Sequence, residues 1–337
     1  MSRYSLPTTM RALVQPDRNS THLKLVTLPV PQANLESDEH LIRVHTTALT
    51  NGELLWPKNF ASIPEEPAKA NERIPSYDVA GTVVTAPANS PFRPGDEVYA
   101  RTSFFRRGCA RDYTIGVTGE LARRPQRFSW PQSATVPMSA QTAWQALFVH
   151  AGLKPEAGTG ALGKRVFVTA ASGGVGTWVV QLARWAGAEV VGTCGPANVD
   201  YVKSLGAFEA IDYRSTNIKE WASDAGKKAE VVIDCIGNKS LADAWWVVKD
   251  GGVLISVYQP PEQMKTASTS GSGVRNLFFV MEANGDQLGK VTKLIDKGGF
   301  VTGLDKVFQF EHFQEALERL ESGKTRGKVV LDLISYE

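Results

Sequence analysis

The chain has 337 residues, 42% hydrophobic and 21% charged, with a formal net charge of +2. That length exceeds what one core ordinarily supports and predicts two domains, while the near-neutral balance leaves no call for nucleic acid or an anionic membrane surface as partner. Three cysteines far apart (Cys109, Cys194, Cys235) with no CxxC pair argue against a disulfide framework and a structural zinc. The five histidines, His22, His40, His45, His150 and His312, form no HxH or HxxxH pair. The opening MSRYSLPTTMRALVQP lacks a signal-type apolar core, and no apolar run reaches about 18 residues. A protein of a reducing compartment, cytoplasmic and without a membrane anchor, is expected.

From Met10 to about Phe128 the chain reads as β-rich. Apolar or alternating runs at 11–14, 23–26 and 40–45 lie between turn signals, and prolines at 29, 31, 57, 64, 67, 75, 87, 91 and 94 punctuate them. Short strands with many turns imply a partly closed β-barrel. Residues 74–84 read as a loop entering a strand, and 94–99 as a turn into the next. From Ser139 the texture changes: 142–148 is helical, and a glycine-rich loop over 158–163 leads into the strand Val166, Phe167, Val168, Thr169. Strands and helices then alternate. Strands are expected at 189–194, 209–212, 231–235 and 252–257, with helices at 198–205, 218–222 and 241–248, which means a parallel sheet covered on both faces. The Ser/Thr/Gly-rich stretch 260–273 reads as a loop. A strand-like 276–280, a helix at 287–297, a strand at 305–310, an amphipathic helix at 313–321 and a strand at 327–333 complete the chain.

The stretch GKRVFVTAASGGVG is strand, tight turn and helix start, with helical periodicity resuming over 177–186. Its turn carries Ala171-x-Gly173-x-x-Gly176 with an extra glycine, Gly174. Small residues let the backbone approach a pyrophosphate, and the free amides and dipole of the helix start favour negative charge. Set between a buried strand and a helix, with a second strand following, the turn predicts a dinucleotide site.

Taken together, these segments resemble the medium-chain dehydrogenase/reductase superfamily, and within it the zinc-independent quinone oxidoreductase and enoyl reductase branch. Residues 74–84 resemble the superfamily's iPGhE-aGvV segment, 94–99 its pGDeVy turn, 142–147 its tAw-aL helix and 166–176 its cofactor turn. Leu205-Gly206-Ala207 with Ile211-Asp212-Tyr213 resembles its LGA-IDY signature, and 327–331 its terminal GKvVl strand. The order and spacing of the six, over nearly the whole chain, carry the resemblance. It implies an α/β fold: a Rossmann-type doubly wound parallel sheet plus a GroES-like β-barrel catalytic domain. Residues 1–137 would be the catalytic domain, 138–281 the NADPH-binding domain, and 282–337 a return to the catalytic domain.

The departures bear on mechanism. Zinc members would place a cysteine near Asn51 and a histidine–glutamate pair at Tyr77-Asp78; this chain has neither, nor a four-cysteine lobe. Chemistry without a Lewis acid is then expected, in which the substrate itself takes up negative charge, namely hydride addition to a conjugated C=C or a quinone. An NAD-specific site needs an acidic residue about 20 positions after the fingerprint. That place holds Cys194-Gly195-Pro196-Ala197-Asn198, which favours NADPH. The resemblance implies that Gly195, Asn198 and Tyr213 grip the 2′-phosphate, with Lys203 or Arg214 as cationic help, although no arginine sits in the loop itself.

Catalytic candidates from the resemblance are Tyr77 and Thr50. Tyr77 either donates to the developing enolate in the cleft beside the nicotinamide or packs its loop, and the sequence leaves both readings open. Cofactor-binding candidates are Asn51, Thr142, Ser172, Gly173, Gly174, Val175, Gly176, Gly195, Asn198, Tyr213, Ile236, Tyr258, Phe279 and Lys328. Glu53 reads as structural. Trp56, Phe104 and Tyr258 either line an apolar pocket or belong to the core, and of Trp245-Trp246 one ring is expected to pack inward. The arginines 101, 106, 107, 111, 123, 124 and 127 either form a solvated face or receive a carrier protein bearing the substrate. The expected partner is a small α,β-unsaturated carbonyl or quinone, on a monomer or a homodimer; the resemblance implies that a dimer edge would lie at the strand near 252–257 and its neighbour. The alternative is an NADPH-binding protein with a structural or regulatory role and little turnover.

Overall fold

The computed structural model describes residues 6–59, 73–266 and 272–334. The prolines at 64 and 67 and positions 267–271 of the Ser/Thr/Gly-rich loop lie outside the described residues. The chain divides into two units, one comprising Met1–Met138, Glu282–Gly299 and Leu304–Glu337, the other Ser139–Met281 with Phe300–Gly303.

The first unit opens with β1 (Thr9–Val14) and β2 (Lys24–Pro29), an antiparallel pair. Its main sheet is organised on β3 (Glu39–Leu49), whose 11 residues are long enough to be shared. The near half of β3 pairs with β6 (Tyr113–Val117), the far half with the chain's last strand, and β4 (Asp78–Thr85) runs along its other edge. β5 (Glu97–Arg101) and the short β7 (Leu121–Arg123) continue outward from β4. The inward residues Ile42, Val44, Val79, Val83, Val98 and Leu121 meet in one core. β6 and β7 fall where the sequence showed only a β-rich texture, and a short helix at Trp130–Ala134 follows just beyond it.

The second unit is a six-stranded parallel sheet: β8 (Arg165–Val168), β9 (Glu189–Cys194), β10 (Glu209–Asp212), β11 (Ala229–Asp234), β12 (Val248–Ser256) and β13 (Arg275–Phe278). Their spatial order is β10-β9-β8-β11-β12-β13, the doubly wound 3-2-1-4-5-6 pattern, with the direction of winding reversing at β8. The strands are continuous apolar runs because helices cover both faces. On this side the sheet ends at β13, the neighbour of β12, which is interior between β11 and β13. The helix expected from 142 starts at Pro137, and an i→i+5 segment over Gln145–His150 follows it, where the Ala151 N–H reaches the Ala146 carbonyl at 2.8 Å. Trp245 is fully buried with Nε1 donating to the Pro261 carbonyl at 3.0 Å, whereas Trp246 carries the Lys219 ammonium over its ring at 4.2 Å.

After β13 the helix Gly285–Lys297 rejoins the first unit, and residues 300–303 belong to the second, where the Gln181 amide is bonded both ways to the Val301 backbone at 2.8 Å. β14 (Leu304–Gln309) and β15 (Lys328–Asp332) flank the helix Phe313–Glu321 and pair in parallel. β15 then docks antiparallel on β3, which sets the chain's last strand beside its third.

Candidate active site

In an open parallel sheet a ligand lies at the carboxyl ends of the strands near the winding reversal. The loops leaving those ends carry most of the cofactor candidates: Ser172–Gly176 after β8, Gly195 and Asn198 after β9, Tyr213 after β10, Ile236 after β11, Tyr258 after β12 and Phe279 after β13. The first loop enters the 12-residue helix Gly174–Trp185, whose N-cap, Gly173, offers no side chain to satisfy the first amides. Those amides are left for an anion. At Gly176 a Cβ would fall 2.1 Å from the Ala170 carbonyl, so any other residue would push the helix off the strand. Ala170 itself sits at φ +50°, a left-handed conformation that favours glycine. The strained position of this turn is therefore one residue before the alanine at which the fingerprint begins.

The sheet ends are also tied by side chains. The buried Asp234 accepts the Thr169 hydroxyl at 2.9 Å, the Gly237 amide at 2.7 Å and the Ser256 hydroxyl at 3.3 Å, and so locks the ends of β8, β11 and β12. Thr169 in turn receives the Cys235 amide at 2.9 Å. The Tyr258 ring is packed on Gly237, where a Cβ would come within 2.1 Å of it. Gly195 and Tyr213 adjoin, a Cβ on the former falling 3.9 Å from the tyrosine hydroxyl, and the Arg214 guanidinium lies 6.0 Å from the Tyr213 ring. These residues fit a nicotinamide dinucleotide, with small groups and amides where a pyrophosphate would lie.

The first unit contains a buried ionisable cluster. Lys328 opens β15, and its Nζ lies 3.0 Å from Asp78 Oδ2 and donates to Thr50 Oγ1 at 2.6 Å. Asp78 is fully buried, its Oδ1 accepts the Met138 amide at 2.7 Å, and burial pushes its carboxyl up, opposed by Lys328. Glu53 is buried at 5% exposure; its carboxylate oxygen accepts the Thr50 N–H at 3.2 Å, while Oε2 has no hydrogen-bond partner. Burial pushes Glu53 up to about 7, against the pull of Lys328. Tyr77, also buried, accepts Arg73 at 3.3 Å and is stacked on Trp56 with centroids 5.9 Å apart, and Phe104 meets Trp56 edge-on. Ser76, at φ +66°, aims this segment and is held by the Thr47 hydroxyl at 2.6 Å and the Ala48 carbonyl at 2.9 Å.

Thr50 and Lys328 thus meet directly, whereas the Tyr77 ring is held by Trp56 and Arg73; Asn51 is exposed at the rim of the Thr50 loop, and Thr142 is buried in the helix Pro137–Trp144 of the chain's middle. Three partners escaped sequence reasoning: the Asp78–Lys328 pair, the orphaned Glu53 and the Asp234 tie. Each rests on residues 65 or more apart or on burial, and the only available signal was that Asp78 and Lys328 lie in two of the six resembling motifs. The arginine run does not form one open cationic face. Arg101 and Arg111 are buried, Arg106 pairs with Glu120 at 2.5 Å, Arg123 with Asp96 at 2.8 Å, and Arg124 with Glu97 at 2.5 Å.

A glycine turn at the winding reversal of a parallel sheet, in one chain with a GroES-like unit, defines a nicotinamide-dependent oxidoreductase. The family described as zinc-binding dehydrogenase matches residues 205–331. A probable mitochondrial zinc-binding oxidoreductase of Arthroderma benhamiae is 52% identical over 334 residues, 98% of each chain. The chloroplastic quinone-oxidoreductase QR1 of Triphysaria versicolor is 31% identical over 318 residues, 92% of this chain and 94% of its own. The quinone oxidoreductase structure from Coxiella burnetii superposes with a TM-score of 0.81 over 97% of this chain and 100% of its own, at 24% identity, a likeness of fold. The chain belongs to the medium-chain dehydrogenase/reductase superfamily, in its quinone oxidoreductase branch.

The zinc in those descriptions can be tested against this chain's residues. The carboxylate best placed for a metal, Asp78, already faces the Lys328 ammonium at 3.0 Å, and the adjacent Tyr77 ring is stacked on Trp56. Among the described residues no three of His, Cys, Asp and Glu gather to hold an ion. The residues present do not fit a catalytic zinc.

Proposed function

We propose that the chain is an NADPH-dependent reductase that delivers hydride, without zinc, to a conjugated C=C (an enone or enoyl group) or to a quinone. The observation that carries this reading is the Asp78–Lys328 pair, which puts a protein cation against the only carboxylate of the loop that resembles the zinc members' ligand segment. Stabilisation of a developing oxyanion then falls to hydrogen-bond donors, and an acceptor that delocalises its own charge suits them. The bound nicotinamide supplies the hydride. In this reading residues 138–281 hold the cofactor, and residues 1–137 with 282–337 serve the acceptor.

Ser172, Gly173, Gly174, Val175 and Gly176 give backbone amides to the pyrophosphate. Gly195, Asn198 and Tyr213, with Arg214, take the 2′-phosphate; Ile236, Tyr258 and Phe279 flank the nicotinamide end, to which the family resemblance adds Asn51, Thr142 and Lys328. Thr50 and Tyr77 donate to the acceptor's oxygen. The quinone-oxidoreductase name of the Triphysaria relative supports a quinone, and the free cysteines, two of them buried, support a reducing compartment such as the cytoplasm. No helix among the described residues is long and apolar enough to cross a membrane.

The test is NADPH oxidation against panels of enones, enoyl thioesters and quinones. Turnover on at least one panel is expected, with kcat/KM higher for NADPH than for NADH, and Tyr77→Phe should lower kcat about a hundredfold. Silence on all three panels overturns the reading.

A further inference from the structure

We propose that Glu53, Lys328 and Thr50 form a proton relay that returns the proton to the reduced product, fed from a cavity beside the C-terminal helix. The inference rests on the reductase reading above and names the group that completes its proton balance. Three observations carry it.

The first is the direction of the hydrogen bonds. Lys328 Nζ gives a proton to Thr50 Oγ1 at 2.6 Å, so the threonine's own proton is free to go elsewhere, and its present acceptor is the Met138 thioether at 3.4 Å. A thioether is a weak acceptor, so this proton is readily turned to a better one. The second is the orphaned carboxyl. Glu53 Oε2 is buried with no hydrogen-bond partner, a costly state for a carboxyl oxygen unless it carries a proton or meets water. The third is access. A cavity of about 270 Å³ is lined by Thr50, Asn51, Glu53, Leu317, Leu320 and a second carboxylate, Glu321, and has room for water beside the otherwise buried Glu53.

Charged groups reach Glu53 from each side. Lys328 approaches from β15, Asp78 and Tyr77 come from β4 and the segment before it, and the Thr50 and Ser76 amides point at its oxygens. Burial outweighs Lys328 and leaves the carboxyl up at about 7, so it is half-protonated at neutral pH and can both give and take a proton.

The proton balance closes without a further reagent. Hydride addition leaves an enolate, or the anion of a hydroquinone. Thr50 Oγ1–H gives its proton to that anion, Lys328 Nζ–H replaces it on the threonine oxygen, water between Glu53 and Lys328 carries the carboxyl's proton to the lysine amine, and water in the cavity re-protonates Glu53. One hydride and one solvent proton are consumed per turnover. Asp78 is a positioning residue here, since it holds the ammonium at Thr50 whichever way the proton moves.

The experiment is the pH profile of kcat from about pH 5 to about pH 9, with the solvent deuterium isotope effect, for wild type, Glu53→Gln and Lys328→Arg. Wild type should lose kcat as pH rises through about 7, with a normal solvent isotope effect. Glu53→Gln should lower kcat about tenfold and remove that limb, with the NADPH Kd and the acceptor KM little changed. Lys328→Arg, whose guanidinium keeps a cation at Asp78 but does not give up its proton, should retain the fold while lowering kcat and removing the limb. A Glu53→Gln enzyme that keeps the limb at the same midpoint overturns the relay while leaving the reductase reading intact. A variant that instead raises KM and unfolds more readily without altering the limb marks Glu53 as structural, which also overturns it. Silence on every acceptor overturns both.

Discussion

The two units solve the same problem of placing charge in opposite ways. At the carboxyl ends of the parallel sheet the charges are left for a ligand: the glycine turn exposes amides, the loop after β9 has no carboxylate, and the one buried carboxylate, Asp234, spends its oxygens on Thr169, Gly237 and Ser256. In the first unit the charges are kept by the protein, with Asp78, Lys328 and Glu53 buried together and Glu53 Oε2 left with neither a hydrogen bond nor an ion pair. A site made of backbone tolerates change at its side chains but not at its small residues. A site made of buried ions behaves the other way, because removing one partner leaves the other desolvated and unpaired.

That contrast can be broken most forcefully at Lys328. Lys328→Met leaves Asp78 buried without its cation and should cost about 3–5 kcal/mol in denaturant unfolding. Adding Asp78→Asn should return much of the loss, and a double variant as unstable as the single would show that the pair is not what Lys328 contributes. Next in size is the pH dependence of stability set by Glu53. Its folded pKa, about 7, lies above the ordinary 4.5, so the folded state holds the proton more tightly than the unfolded chain does. The contribution is full below the unfolded value and is lost as pH rises from about 4.5 to about 7, about 3 kcal/mol in all. Glu53→Gln should flatten the unfolding free energy across that window, and a slope unchanged by the substitution would place the titration elsewhere. The smallest effect belongs to the glycine turn. Ala170→Gly relieves a left-handed alanine at φ +50° and should add about 0.5–1 kcal/mol, read by thermal unfolding without cofactor. A loss instead would mean that the alanine methyl contributes more by packing than its backbone costs.

Much of the second unit was legible in the chain. Its strands are short apolar runs, each loop follows from a change of period, and the turn at Ser172–Gly176 has a local backbone reason. Even there the strained residue, Ala170, was missed, since it follows from the angle the strand makes with the helix and not from residue type. In the first unit β6 and β7 were hidden because a three-residue strand such as Leu121–Arg123 is too short to show a period. Glu53 reads in sequence as a structural loop residue, but its perturbed carboxyl was not legible, because β15 and the segment before β4 supply its surroundings.

By itself the sequence determined the order of elements, the parallel sheet and the nucleotide turn, because periodicity and small-residue turns are local properties of neighbouring positions. Tertiary structure alone decided that Lys328 meets Asp78 and Thr50. The docking of the last strand on the third brings together residues 250 and 278 positions apart, and whether a carboxylate is ordinary or perturbed depends on what the fold packs around it.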